Sequence, residues 1–206
     1  MTLPIKFLAT PAIEARAGIP TVVAAQDSAI GVADVVSFWR EAGPAKWFAK
    51  DPMFDLLFRE RFLRVHEAAA RGELQSWETT ADGALALVIL LDQFPRNAFR
   101  GTARMYASDT QALAVANRAI AQGLDGQMDV AMRLFLYLPF GHSEDLRHQE
   151  RSVELNRALR PIDLQHAQGH HGIVKRFGRF PHRNPLLGRS TTPQEQKYLD
   201  EGGFSG

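Results

Sequence analysis

Apolar positions recur at helical spacing from Val32 onward. Val32, Val35, Val36 and Trp39 fall at i, i+3, i+4 and i+7, one face of a helix that Gly43-Pro44 ends. Asp51-Pro52 reads as a capping acid followed by proline where its missing N–H does no harm. Phe54, Leu57, Phe58, Phe62 and Val65 then form an apolar stripe running toward Gly72. A third helix is expected from Thr80 through Phe94, broken by Pro95. Its run from Ala84 to Leu91 is apolar all round and belongs inside the fold. Periodicity alone allows a strand there, but the alanines and leucines, with helical patterns on both sides, favour helix.

Ser108 or Asp109 starts the next helix, with Ala112, Leu113, Ala116, Ala119 and Ile120 inward and Gly123 as its stop. Val130, Leu134, Phe135 and Leu138 mark a shorter helix stopped by Pro139. Ser143 is expected to cap a helix running to Arg160, with Glu144 and Asp145 in its first turn. Asp163 is expected to cap another from Leu164 to Phe177, closed by Gly178. Thr192-Pro193-Gln194-Glu195 is a capping box that opens a last short helix, ending before Gly202-Gly203. The pattern therefore predicts an all-α fold: about eight helices in antiparallel hairpins, forming a single domain over residues 31–206. Residues 1–30 read as an N-terminal extension. Pro4, Pro11 and Pro20 interrupt them, and their apolar pieces are too broken for a secretory signal.

The chain has 206 residues, enough to bury a core without covalent staples. It has no cysteine, which excludes disulfides, thiolate metal centres and cysteine nucleophiles and suits a cytoplasmic location. No apolar run approaches the roughly 18 residues of a membrane helix, so no membrane partner is expected. Charge changes the picture more. The net charge is only +1, yet Leu164 to Gln194 contains no acid and carries Lys175, Arg176, Arg179, Arg183 and Arg189. Six of the seven histidines lie between His142 and His182. The isoelectric point is about 8.2, below the value of about 9 or more that marks nucleic-acid-binding domains, so nucleic acid is not the expected partner.

Three clusters carry candidate chemistry. The first is Asp92-Gln93-Phe94-Pro95-Arg96-Asn97, and Phe94-Pro95-Arg96-Asn97 recurs as Phe180-Pro181-His182-Arg183-Asn184 with one histidine inserted. The second is Pro139-Phe140-Gly141-His142-Ser143-Glu144-Asp145, where a helix start favours an anion. There His142 is a candidate general base that Glu144 orients or replaces. The third spans His170-His171, Gly178 to Asn184, and Gly188-Arg189. His166 and His170 share a helix face, but no glutamate follows His166 as the zinc-protease pattern requires. Phosphate-binding glycine loops and the nucleophile-elbow motif are absent too, and no cofactor or metal is expected.

Leu90-Leu91-Asp92-Gln93-Phe94-Pro95-Arg96-Asn97, Leu138-Pro139-Phe140 with His142-Ser143-Glu144, and Phe177 to Asn184 with Leu187-Gly188-Arg189 together resemble a bacterial family. It is catalogued as domain of unknown function number nine hundred and twenty-four. The likeness runs from about Val32 to Phe204 and includes Lys46-Trp47-Phe48 and Gln149-Glu150-Arg151-Ser152. It implies an all-helical, tetratricopeptide-like stack and no established reaction. Two departures stand out: His171 and Gly172 where the family usually has an arginine and an acid, and Thr191 where serine is usual.

These residues predict a pocket for a small anionic ligand, a phosphate or carboxylate. Asp92, Arg96, Asn97, Ser143, His170, Arg179, Arg183 and Asn184 would bind it, and His142, Glu144 and His182 are the catalytic candidates. Hydrolysis or group transfer would be its chemistry. A second reading is a helical-repeat adaptor that holds an acidic peptide or partner protein. A third is a ligand-free polar network that locks helix ends together.

Overall fold

A computed structural model describes residues 30–206; the N-terminal extension expected over residues 1–30 lies, save Ile30, outside the described residues. Within them the backbone is helical, without a strand. The elements are α1 (Val32–Ala42), the single turn α2 (Pro44–Trp47), α3 (Pro52–Ala70), α4 (Ala81–Val88), α5 (Phe94–Ala98), α6 (Asp109–Ala121), α7 (Val130–His142), α8 (Leu146–Asn156), α9 (Pro161–Phe177) and α10 (Pro193–Asp200). No helix among the described residues is long and apolar enough to cross a membrane.

The caps read from the sequence form where their chemistry is local. The Asp51 carboxylate accepts from the Met53 and Phe54 amides, and Thr192 and Glu195 close their capping box. Gly178 ends α9 in the left-handed conformation, at φ 71°. The main core joins α1, α3, α4, α6 and α7 around Trp39, Phe58, Phe62, Phe94 and Phe135, all fully buried. From Gly83 to Val88 every residue of α4 is buried, as its all-round apolar pattern required. A second, small cluster gathers Ile173, Val174 and Phe180 against Phe177 and Tyr198.

Pro95 does not break its helix. A π turn over Ile89–Gln93 joins α4 to α5, and the Phe94 amide donates to the Ile89 carbonyl. The carbonyls that lose helical partners there find others. His66 Nδ1 donates to Leu90 O at 2.8 Å, Ser108 Oγ to Leu91 O at 2.6 Å, and Arg96 to Asp92 O at 2.8 Å. The Ser108 hydroxyl thus replaces the N–H that Pro95 lacks. Pro139 likewise lies inside α7, which continues to His142. Burial of Phe135, Leu136, Tyr137, Phe140 and Gly141 on either side outweighs the roughly 3 kcal/mol that an internal proline costs.

Ser143 therefore follows a helix end and opens no helix. Its hydroxyl accepts from the Asp145 amide, and α8 begins at Leu146 with Asp145 as its cap. The buried Gln149 amide ties this corner, donating to Gly141 O and Ser143 O. The helix expected to run to Arg160 stops at Asn156, and the next starts at Pro161. Asp163 there accepts from the Arg160 amide and guanidinium.

Candidate functional site

The π turn aims Asp92 inward, where it is 0% exposed. One of its carboxylate oxygens lies 2.7 Å from His142 Nδ1 at the end of α7 and 3.1 Å from Arg96, one turn along α5. The other accepts from the Gln93 amide at 2.5 Å. Burial pushes the Asp92 carboxyl up, but Arg96 and His142 outweigh it and hold it well below the usual carboxylate range. Burial and Arg96 push the His142 imidazole down against the pull of Asp92, so the ring is neutral and its Nδ1–H donates to the carboxylate. The partner that orients His142 is Asp92, not Glu144.

The two copies of the repeated motif meet through their arginines. Arg96 holds Asp109 with both guanidinium nitrogens, at 2.8 and 3.0 Å, and Arg183 reaches the same carboxylate at 3.6 Å. Both guanidiniums lie over the Tyr106 ring, Arg183 at 4.6 Å, and Arg183 also packs 4.5 Å from the Phe180 ring. Arg183 is buried and its Nε has no hydrogen-bond partner. Burial, and then Arg96, lower its pKa; Asp109 and Glu144 offset this only in part. Glu144 itself accepts from the Phe180 amide at 2.8 Å and from Arg189 at 2.6 and 3.0 Å. Burial pushes the Glu144 carboxyl up, yet Arg189 and the Phe180 amide keep it below its ordinary value.

Two imidazoles, His170 and His182, flank the Phe180 ring on which Arg183 packs, and His142 stands next to His170. The His142 and His170 ring centres are 6.4 Å apart, and His182 and His170 share a neighbour in Phe180. Burial, with His142 and Arg183 adding to it, pushes His170 down to about 3. Burial and Arg183 push His182 down to about 4, and its buried Nδ1 has no partner. Both are neutral in the fold at pH values where the unfolded chain, with histidines near 6.5, binds protons. Their contribution to stability is complete above about pH 6.5 and is lost as the pH falls toward 4 and 3, at up to about 1.4 kcal/mol per pH unit for each ring. Urea denaturation between about pH 7 and pH 4.5 is expected to show that decline, with a shallower slope in His170→Phe.

Other sequence candidates lie apart. Arg179 grips Glu195 at 2.6 and 2.9 Å, and Asn184 donates to the same carboxylate. Asn97 donates to Asp55 at 2.7 Å beside Arg100, so the asparagines of the two motif copies do not meet. Ser143 bonds His148 on its own corner. Tyr106 and Asp109 join the group without a motif to announce them. Asp109 reads in the sequence only as a helix start, and Tyr106 carries no signal. Two hollows lie away from the Asp92 group: one of about 240 Å³ flanked by Leu74, Leu87, Leu91 and Val115, the other of about 340 Å³ lined by Arg176, Phe177, Gln194 and the Arg179–Glu195 pair. The Asp92 group lies instead along the seam between the two hydrophobic clusters. Among the described residues no three histidine, aspartate or glutamate side chains gather as a metal site.

Comparison with known proteins agrees with this architecture. A solved structure from Agrobacterium tumefaciens, described as the protein of unknown function ATU0120, is 54% identical and superposes with a TM-score of 0.82. The match covers 83% of this chain and 97% of that one. No curated protein matches. The family model described as a bacterial protein of unknown function matches residues 35–203, and the chain belongs to that family, DUF924.

Proposed function

We propose that the protein binds a small anion, a carboxylate or phosphate group, at Arg183, and that His142 transfers a proton there in hydrolysis or group transfer. Charge pairing carries the reading. Arg96 and Arg189 are each held bidentate by a carboxylate, whereas Arg183 keeps one contact at 3.6 Å to an acid already committed to Arg96. A buried guanidinium with an orphaned Nε is costly unless an anion accepts from it. Such an anion would accept from the Arg183 Nε–H, beside the Tyr106 and Phe180 rings that Arg183 packs against.

His142 is the group placed for proton transfer. With Nδ1–H committed to Asp92, its Nε2 lone pair is free to take a proton from water or a hydroxyl nucleophile. Asp92 acts as a positioning residue, and Glu144 shapes the wall through Arg189 and the Phe180 amide. The acidic-peptide adaptor has less support. Arg96, Arg100, Arg179 and Arg189 are all engaged by carboxylates of this chain.

Thermal unfolding with orthophosphate, sulfate and small carboxylates tests the reading. At about 100 times its Kd, a bound anion stabilises the fold by about 2.7 kcal/mol. The expected result is a rise in Tm of the wild type with at least one of these anions and none in Arg183→Gln. A wild type indifferent to all of them, or a variant that responds equally, would show that Arg183 belongs to a ligand-free network.

A further inference from the structure

Residues 201–206 fold back from α10 onto the imidazoles. The Phe204 ring meets His170 edge-on with centres 4.8 Å apart, meets His182 at 5.1 Å, and lies 6.4 Å from Phe180, whose ring carries Arg183. Gly206 runs so close to His182 that a Cβ on it would lie 3.2 Å from the imidazole. The backbone anchors of this segment lie elsewhere. The amides of Glu201, Gly202 and Gly203 donate to Lys197, Leu199 and Tyr198 on α10, and the Phe204 amide donates to the Tyr198 hydroxyl at 2.9 Å. Side-chain and van der Waals contact, chiefly the Phe204 ring, therefore seats the segment on the imidazoles. Gly202, at φ 83°, supplies the left-handed turn that swings the chain back.

Two further facts bear on what the ring does. Phe204 is 42% exposed, too much for a core residue, yet it sits on His182, whose buried Nδ1 has no partner. Arg183 packs against the Tyr106 and Phe180 rings, and Phe180 in turn touches His170 and His182, the two rings that Phe204 covers. We propose that residues 201–206 form a displaceable cover over the anion site, seated through Phe204. The inference rests on the anion-binding reading above. An anion bearing a flat apolar group is the ligand class that fits, because its ring would replace Phe204 against His170 and His182 while its charge meets Arg183.

Phe204→Ala and a chain lacking residues 201–206 test this with two readouts. One is orthophosphate affinity by calorimetry. The other is the rate at which diethyl pyrocarbonate modifies His170 and His182, read by mass spectrometry against His148. The cover predicts faster modification of both rings and phosphate binding tighter by roughly 2- to 10-fold, the factor corresponding to an ordinary aromatic contact. Unchanged modification rates overturn the cover, and wild-type phosphate binding would then keep the anion reading standing. Faster modification with unchanged phosphate affinity also overturns it. If no chain binds phosphate, the anion reading fails and the cover fails with it.

Discussion

Asp92→Asn is expected to lower the unfolding free energy by about 3–5 kcal/mol, the range found when one member of a buried ion pair is removed. The substitution keeps the side chain's shape, so the loss is electrostatic. Arg96 remains in the low-dielectric interior with Asp109 alone, and His142 loses the charged acceptor of its Nδ1–H. The pH dependence has a definite sign. Asp92 ionises in the fold well below the ordinary carboxylate range, so its stabilisation is present above that range and lost as acid protonates it. Chemical denaturation of wild type and variant should therefore differ most near neutral pH and converge in acid. In a His142→Phe background the penalty should shrink, because the two side chains share one interaction. A penalty below about 1 kcal/mol would mean that Asp92 is not the hub of a buried network.

Phe94→Ala is expected to cost a similar amount, about 3–5 kcal/mol, for a different reason. Phe94 is 0% exposed and follows the π turn directly. Its ring lies 4.6 Å from His66, 5.1 Å from Phe58 and 5.9 Å from Phe99. Truncation leaves a cavity between α3 and α5 that this rigid aromatic cluster cannot fill. It also loosens His66, whose Nδ1 holds the Leu90 carbonyl freed by the π turn. A denaturation midpoint close to wild type would show that the turn is held by its hydrogen bonds and not by packing.

The sequence announces features whose chemistry is local and conceals those completed from afar. Asp51, Thr192 and Gly178 mark helix ends because their partners lie within a few residues. Pro95 and Pro139 read as breaks because a proline removes a backbone donor. Nothing near Pro95 reveals that Ser108 will supply a substitute. The motif repeat behaves in the same way. Its two arginines meet at Asp109, while its two asparagines, each directly after its arginine, face Asp55 and Glu195 on unrelated elements. The acid-free stretch from Leu164 to Gln194 suggests several uncompensated cations. Folding brings Glu144 to Arg189 and Glu195 to Arg179, acids from outside the stretch. Arg183 alone among those three lacks a close carboxylate of its own, and no linear pattern separates it from its neighbours.

The most direct test follows the imidazoles by nitrogen-15 NMR while orthophosphate is added. His142, His170 and His182 are expected to shift together along one saturable curve that His148 does not follow, and the response should vanish in Arg183→Gln. Imidazoles that stay fixed as phosphate rises, or that move identically with and without the Arg183 guanidinium, would contradict an anion site at this seam.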